Sequence, residues 1–578
     1  MCGIFSIINH QSEYLSENVV RSAFECGKSR GPEYSTIEYY DKWDSIIGFH
    51  RLAINGLNSE SNQPIIIDDI ALICNGEIYN YKKLYKMMDI IPHTQSDCEV
   101  IIHLYKKYGI EQTLRMIDGV FTFVLYTQNE YIIARDPYGV RPLYFIDDTN
   151  NVNGMYIVGS ELKSLIKLKE QLSHAKIEQF KPGHYIQLSK LHFNGMNNKF
   201  NSMNNKFNGM NNKFNSMNDK FNSMNNKLNY IKYHSLSSSI RTVSYDEHEY
   251  ENKLNDIYES LKLAVYKRCE TTERPIACLL SGGLDSSLIA SIVNMYMWEY
   301  DLPPVETYSI GLLNSEDVKY ARIVAEHIGS KHTEVIVTEK DMISAIPQVI
   351  YAIESYDTTT VRASIGNYLI GKYISEHSEA KVIFNGDGSD EICGGYLYMN
   401  KCPDNIEFDK ETIRLLSEIY LFDVQRSDRS ISSNGLEPRT PFLDKHFVNT
   451  YLSIPVEHRR HQIIEKFMLR EAFSGTHLLP DEIIWRKKEA FSDGVSNHGR
   501  SLFQIIQEYV LVHYNMINEN LHEDIKLIDL EKKYYLDLFL KYYPNQENIL
   551  PHYWMPKYSN TNDPSARTLE HYDIKQME

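Results

Sequence analysis

The sequence predicts two folds in series, an α+β unit of stacked strands and helices over residues 1–190 and an α/β unit with a parallel sheet over 245–545. Three observations carry this. In the first stretch "VFTFVLYTQNEYIIARD" alternates apolar and polar residues on both sides of a Gln-Asn-Glu turn, the pattern of a β-hairpin. In the second, "PIACLL", "VETYSIGL", "HTEVIV" and "KVIFN" are separated by helical patterns such as "EDVKYARIVAEHIG", the alternation of a parallel sheet covered on both faces. Between them, residues 193–227 are five copies of one heptad, FN(G/S)MN(N/D)K, too rich in Asn to build a core or a stable helix.

Taken in order, "DCEVIIHLYKKYG" sets Val100, Ile101, Leu104, Tyr105 and Tyr108 on one helical face and predicts a helix that stops at Gly109. "GHYIQL" and "NYIKYHSL" read as two strands of one hairpin, so the heptads are expected to be a disordered extension of its turn. Residues 546–578 read as a polar tail with aromatic punctuation.

At 578 residues the chain is too long for a single core. Its net charge of −17 carries no basic stripe to offset it and argues against a nucleic-acid surface. No apolar run approaches the roughly 20 residues of a membrane span, and "FSII" is far too short for a secretory signal. The eight cysteines form no C-x-x-C pair and no zinc spacing, so they are expected to be reduced thiols of a cytoplasmic protein.

Three segments carry chemistry. The chain opens "MCGIFSII", and loss of Met1 leaves Cys2 with both a thiol and a free α-amine. Such groups titrate near roughly 8.5 and 7.7–8, so one residue holds a nucleophile and its base. A buried structural cysteine is the ordinary alternative. In "IACLLSGGLDSSLIASIV" a buried strand ends at Leu280, Ser281-Gly282-Gly283 turns, and a helix is predicted from near Ser286. That is an anion cradle of backbone N–H groups at a helix N-terminus. It lacks the lysine of a Walker loop and resembles the pyrophosphate loop of the ATP pyrophosphatases. Third, "VIFNGDGSDEICGGYLY" packs Asp387, Asp390 and Glu391 into five residues, which repel unless a cation or a cationic group lies between them. Magnesium bridging to pyrophosphate is the economical reading, with Asp285 and Asp390 as its ligands.

Together these residues resemble the glutamine-hydrolysing asparagine synthetases, nearest their eukaryotic branch. The amino-terminal strings are "MCGI", "SRGPEYS", "RLAIN", "NGEIYN", "SDCEVI" and "RDPYGVRPLY"; downstream come "SGGLDSS", "YDTTTVRAS", "GDGSDE", "EPRTPFLD", "WRKKEAFSDG" and "YWMPKYSNTNDPSARTL". The resemblance implies an N-terminal-nucleophile amidotransferase domain (an αββα sandwich) followed by an ATP pyrophosphatase synthetase domain. It implies Cys2 as nucleophile, Asn75 and the Gly76 N–H as oxyanion hole, and Arg51 on the glutamine α-carboxylate. Asp97 and Glu77 are then on its α-ammonium, and the backbone of Leu52, Ala53, Ile54 and Asn55 lines the same pocket. For ATP it implies Leu280, Ile310, Asn385 and Gly386 around adenosine and Ser281, Gly282, Gly283, Asp285, Ser286 and Ser287 around pyrophosphate. Lys466 and Lys488 would face the phosphates and the intermediate, with Asp387 at the centre of the adenylation chemistry and Tyr396 a weaker candidate on the acceptor side. The implied substrates are L-glutamine, L-aspartate and ATP with Mg2+, and the implied assembly is a homodimer.

One departure bears on the chemistry. Asn385-Gly386-Asp387 stands where the family commonly has Ser-Gly-Glu, and the shorter acid draws its carboxylate back by roughly 1.5 Å. A misplacement of 1 Å can cost about a hundredfold in rate. Three alternatives therefore stay open on the sequence. A phosphoribosyl-pyrophosphate amidotransferase shares "RDPYGVRPLY" but needs a phosphoribosyl loop that is not found, and a β-lactam-forming relative would lack Cys2. The third is a nucleotide-binding scaffold without catalysis.

Overall fold

A computed structural model describes residues 2–10, 15–148, 154–172, 175–190, 228–238, 245–461, 463–488, 494–496, 500–517 and 526–569. The heptads at 193–227 lie outside the described residues. The chain divides into two compact units, 1–235 and 236–578.

Among the described residues twelve strands build the first unit: β1 (Gly3–Ile8), β2 (Tyr34–Tyr40), β3 (Ser45–Arg51), β4 (Ile65–Ile67), β5 (Ile70–Ile78), β6 (Gly119–Tyr126), β7 (Glu130–Arg135), β8 (Tyr144–Asp148), β9 (Met155–Gly159), β10 (Ile177–Gln179), β11 (His184–Ser189) and β12 (Ile231–Lys232). They form two six-stranded sheets, ordered β10-β8-β9-β1-β3-β2 and β12-β11-β7-β6-β5-β4, with antiparallel neighbours throughout. Ile4, Ile47 and Val158 of one sheet meet Ile73, Val124 and Ile133 of the other in a shared core. Helices α1 (Glu17–Glu25) and α4 (Lys163–Lys169) lie on the first sheet. The second sheet is covered by α2 (Tyr81–Met88) and α3 (Val100–Met116), through Leu84, Met88, Ile101, Leu104 and Leu114. This is the αββα sandwich.

The predicted hairpin is β6–β7, paired from Thr122↔Arg135 to Tyr126↔Tyr131. Its alternation does not separate core from water, because β6 is buried along almost its whole length between the other sheet and the helices. The expected stop at Gly109 is where the helix breaks: Gly109 takes the non-helical φ 76 and ψ 172, and a second helical segment follows to Met116. Only a glycine tolerates that conformation cheaply, and the break leaves Tyr108 40% exposed rather than on the buried face. The first unit also runs past residue 190, because Ile231 and Lys232 pair with Tyr185 and His184 across the insertion.

In the second unit β13 (Ile276–Leu279), β14 (Glu306–Gly311), β15 (Lys331–Ile336), β16 (Val382–Phe384) and β17 (Glu437–Arg439) form a parallel sheet ordered β15-β14-β13-β16-β17. Four of these were predicted. The fifth, Glu-Pro-Arg, is too short and too proline-bearing to be read as a strand and sits at the edge, where its missing donor is tolerated. One sheet face packs through Ala277, Ile310 and Ile383 on Ile370, Ile374 and Ile431 of the helices at Thr358–His377 and Asp423–Ser432. Helix α5 (Leu284–Glu299) follows β13 and starts two residues before the predicted Ser286.

The tail is not a separate segment. Trp554 and Leu569 join the core around Tyr398 and Phe408. The Trp554 N–H donates to Asp357 (2.8 Å), and Asp563 ion-pairs with the buried Arg362 (2.7 Å). Aromatic punctuation here marks anchoring points. No helix among the described residues is long and apolar enough to cross a membrane.

Candidate active sites

The first site forms where β1, β3 and β5 meet. Cys2 precedes β1, its backbone N–H donates to Asn75 Oδ1 (3.3 Å), and its thiol lies 3.7 Å from the Leu52 carbonyl. Asn75 is fully buried on β5, opposite Thr122, and its Nδ2 has no hydrogen-bond partner. A buried amide N–H left unsatisfied costs free energy, so this donor is held ready for an acceptor that is not part of the protein. Gly76 follows it on the strand.

Arg51 ends β3 with its guanidinium turned onto the next loop. It donates to the carbonyls of Asn55 (3.2 Å), Gly56 and Asn58 (3.0 Å) and to Asn62 Oδ1 (2.6 Å). The sequence predicted a clamp for a substrate carboxylate, and the structure places Arg51 as the organiser of the loop. Ala53 N–H is held by Glu33 (2.8 Å), Asn55 by Glu77 (2.7 Å), and the Asp97 carboxylate accepts from Ile78 N–H (2.6 Å). Arg51, Asn55, Glu77 and Asp97 are all buried, as is Ile54.

Arg30 was missed. Its side chain is completely buried, its Nε donates to the Cys2 carbonyl (3.0 Å), and Glu161 lies 3.5 Å from its Nη1. Its only sequence signal is its place in "SRGPEYS" between a helix and a strand. "RDPYGVRPLY" is a structural corner: the Asp136 carboxylate accepts from the N–H groups of Tyr138, Val140 and Arg141, while Arg135 holds three backbone carbonyls.

The second site sits at the carboxyl end of β13, where the parallel sheet opens into a cavity of about 230 Å3. Such sheets bind ligands outside the carboxyl ends of their strands. Leu280, Ser281, Gly283, Asp285, Ser286, Ile310, Asn385, Gly386, Asp387, Asp390, Tyr396, Lys466 and Lys488 line it. Gly282 and Ser287 do not: Gly282 packs against Tyr320 and Ala321, and Ser287 is buried in α5. Ser281 and Ser286 hold the turn together, hydroxyl to hydroxyl at 3.0 Å, with Ser281 N–H donating to Ser286 Oγ (3.2 Å).

Of the acids predicted to need a cation, Asp285 and Asp390 have lysines. Lys466 Nζ lies 2.6 Å from Asp285 and 2.5 Å from Asp390, and Lys488 lies 2.6 Å from Asp390. Lys466 is buried and takes the left-handed conformation (φ 57, ψ 31), and its stem runs where a Cβ on Gly395 would stand. It is no solvated helix face. Burial pushes the Asp390 carboxyl up, but the Lys466 and Lys488 charges outweigh it and hold it below the ordinary carboxylate range. Asp387 turns to Arg426 (2.8 Å), which also holds Asp423 (3.0 Å), and Asp387 N–H donates to Asn385 Oδ1 (3.3 Å). Glu391 accepts from the Tyr396 hydroxyl (2.5 Å). Burial first, then Asp423 and Asp390, push the Glu391 carboxyl well above the ordinary carboxylate range. Arg426 and Asp423, three apart on one helix, had no motif to announce them.

A family model described as asparagine synthase matches residues 256–407 and 402–519, and one described as a glutamine amidotransferase domain matches 1–219. The chain is 41% identical over 597 residues to the glutamine-hydrolysing asparagine synthetase of Gallus gallus and 40% over 600 to that of Homo sapiens, covering 99% of each chain in both cases. The chain belongs to the glutamine-hydrolysing asparagine synthetases. Among solved structures, the glutamine phosphoribosylpyrophosphate amidotransferase from B. subtilis superposes with a TM-score of 0.30 at 16% identity, over 58% of this chain and 81% of the other. For an asparagine synthetase, the Asp387–Arg426 and Lys466–Asp285–Asp390 contacts are the local details that sequence strings did not carry.

Proposed function

We propose that this chain makes L-asparagine from L-aspartate, using ammonia released from L-glutamine and ATP cleaved to AMP and pyrophosphate. The observation that carries this reading is the full-length match to asparagine synthetases, and the geometry is compatible with the roles below. In the first site the Cys2 thiol proton passes to its own α-amine, which Asn75 Oδ1 orients. The sulfur attacks the glutamine side-chain carbonyl, and the oxyanion is met by Asn75 Nδ2 and the Gly76 N–H. The amine returns the proton to the leaving ammonia, and water then cleaves the thioester to glutamate. Arg51 exchanges loop carbonyls for the glutamine α-carboxylate, a charge-assisted and therefore stronger acceptor, while Glu77 and Asp97 face the α-ammonium.

In the second site the 281–287 turn cradles the ATP phosphates, with Leu280, Ile310, Asn385 and Gly386 around adenosine. The aspartate β-carboxylate attacks the α-phosphorus, pyrophosphate leaves, and ammonia displaces AMP from the β-aspartyl adenylate. Lys466 and Lys488 move from Asp285 and Asp390 to the phosphates, and Asp387 is set by Arg426. Mg2+ fits this donor set: Asp285 and Asp390 offer hard carboxylate oxygens, and the metal would neutralise charge on pyrophosphate. Two further parts of the reading rest on the resemblance, a homodimer and a cytoplasmic location, the latter in keeping with eight free cysteines.

The test is asparagine formation from aspartate and MgATP with glutamine or ammonia as donor, in wild type and Cys2→Ala. Activity from both donors is expected, with only the glutamine route lost in Cys2→Ala. Glutamine hydrolysis without asparagine or AMP would overturn the synthetase assignment and favour a scaffold.

A further inference from the structure

Outside both sites, among the described residues, one grouping of three side chains can hold a metal ion: His93, Glu99 and His103, with their donor atoms all within 4.8 Å of one another. Glu99, fully buried ahead of α3, brings them together. Its Oε1 lies 2.9 Å from His103 Nε2 and 3.4 Å from His93 Nδ1. The same oxygen accepts His93 N–H (2.8 Å), and Oε2 accepts Thr94 N–H (2.6 Å). The two imidazoles stand parallel, 5.9 Å apart at 4°. Around a tetrahedral ion with bonds of about 2.0–2.1 Å, neighbouring donors lie about 3.3 Å apart, and the two distances to Oε1 straddle that value.

Two further features point to a ligand. Tyr85 is buried, its ring edge-on to His103 (6.0 Å, 72°), and its hydroxyl has no hydrogen-bond partner. Burial and then the Glu99 charge hold the proton on that hydroxyl. It is a donor beside the carboxylate with nothing in the protein to accept from it. His93 is the opposite, with a side chain 65% exposed, so an ion can enter on its side and keep a water there. A cap for the 93–94 turn needs only Glu99; it requires neither a second imidazole on the same oxygen nor an idle tyrosine hydroxyl.

We propose that His93, Glu99 and His103 form a site for a divalent transition metal, of the two-imidazole, one-carboxylate kind that suits zinc. A bound ion ties the 93–94 turn to the body of α3. Asp97 lies on the chain between them, so occupancy stiffens the segment that carries it.

The test uses the full chain without an affinity tag, in a Cys2→Ala background so that the amino-terminal thiol and amine cannot chelate. Co2+ titration should give one equivalent with the visible absorption of a four-coordinate ion, displaced by Zn2+. His93→Gln, at the exposed rim, should weaken binding by ~10-fold or more while leaving the metal-free Tm unchanged. His103→Gln should weaken binding likewise. Absence of saturable binding, or binding that His93→Gln leaves unaltered, overturns the site. Asparagine synthesis does not enter these readouts, so failure here is separate from failure of the assigned function.

Discussion

Around Cys2 the reacting groups meet neutral partners, a backbone carbonyl and an amide, and one amide N–H is left over. Around Asp285 three carboxylates of the cavity already hold a cation: Asp285 and Asp390 share Lys466, and Asp387 has Arg426. On the roles proposed above, the site around Cys2 is set in advance for a charge that develops during reaction, whereas the site around Asp285 must exchange partners when the phosphates of ATP arrive. Preorganised donors need no rearrangement at the moment of reaction. A site of paired charges stays folded without substrate, because each buried charge has a partner until a stronger one displaces it.

The largest expected effect falls on the paired site. Lys466→Met should cut asparagine formation from either donor by ~10³-fold, by analogy with loss of a preorganised charge, while glutamine hydrolysis continues. It leaves Asp285 and Asp390 to a single lysine, so thermal unfolding should show a loss of about 3 kcal/mol. Equal loss of glutamine hydrolysis would mean the two sites are not separable in this way. Next, Asn75→Ala should lower kcat for glutamine hydrolysis by about 10²–10³-fold with little change in KM, and spare the ammonia-dependent rate. A rise in KM alone would make Asn75 a binding residue rather than an oxyanion donor.

Smaller again is Asp387→Glu. If the acid stands back by one bond, restoring it should raise the ammonia-dependent rate by roughly tenfold. An unchanged rate would show that Arg426 already places the shorter side chain correctly. The smallest effect is on stability alone. Glu99 is held at about 2, against an ordinary 4.5: burial pushes it up, but His103 and the N–H groups of His93 and Thr94 more than reverse that. A depressed folded value means the stabilisation is present above about 4.5 and is lost as pH falls toward about 2. With a chelator present, the Tm gap between wild type and Glu99→Gln should close over that interval; a gap independent of pH would assign Glu99 a purely steric role.

Much of this was legible in one dimension. Cys2, the SGG turn and the alternation of strand and helix are local patterns, and the sheets follow them. The stop at Gly109 was legible because a glycine takes a positive φ cheaply, but the helical segment that follows it to Met116 was not. The carboxyl-terminal segment was read as a tail because its few aromatics show no period, yet Trp554 and Asp563 anchor it as single points rather than as a face. Arg51 was singled out by its motif, but its four loop acceptors could not be inferred from "RLAIN".

The sequence by itself determined the chemical inventory: a nucleophile carrying its own amine, an anion cradle at a helix N-terminus, and acids that require cations. Covalent position and local backbone preference are enough for those. Tertiary structure alone decided which cation meets which acid. Lys466 reaches Asp285 across 181 residues, Arg426 reaches Asp387 across 39, and Arg30 reaches Cys2 across 28. Such pairs depend on where strand ends and helix starts converge in space, and separation along the chain contains no record of that angle or distance.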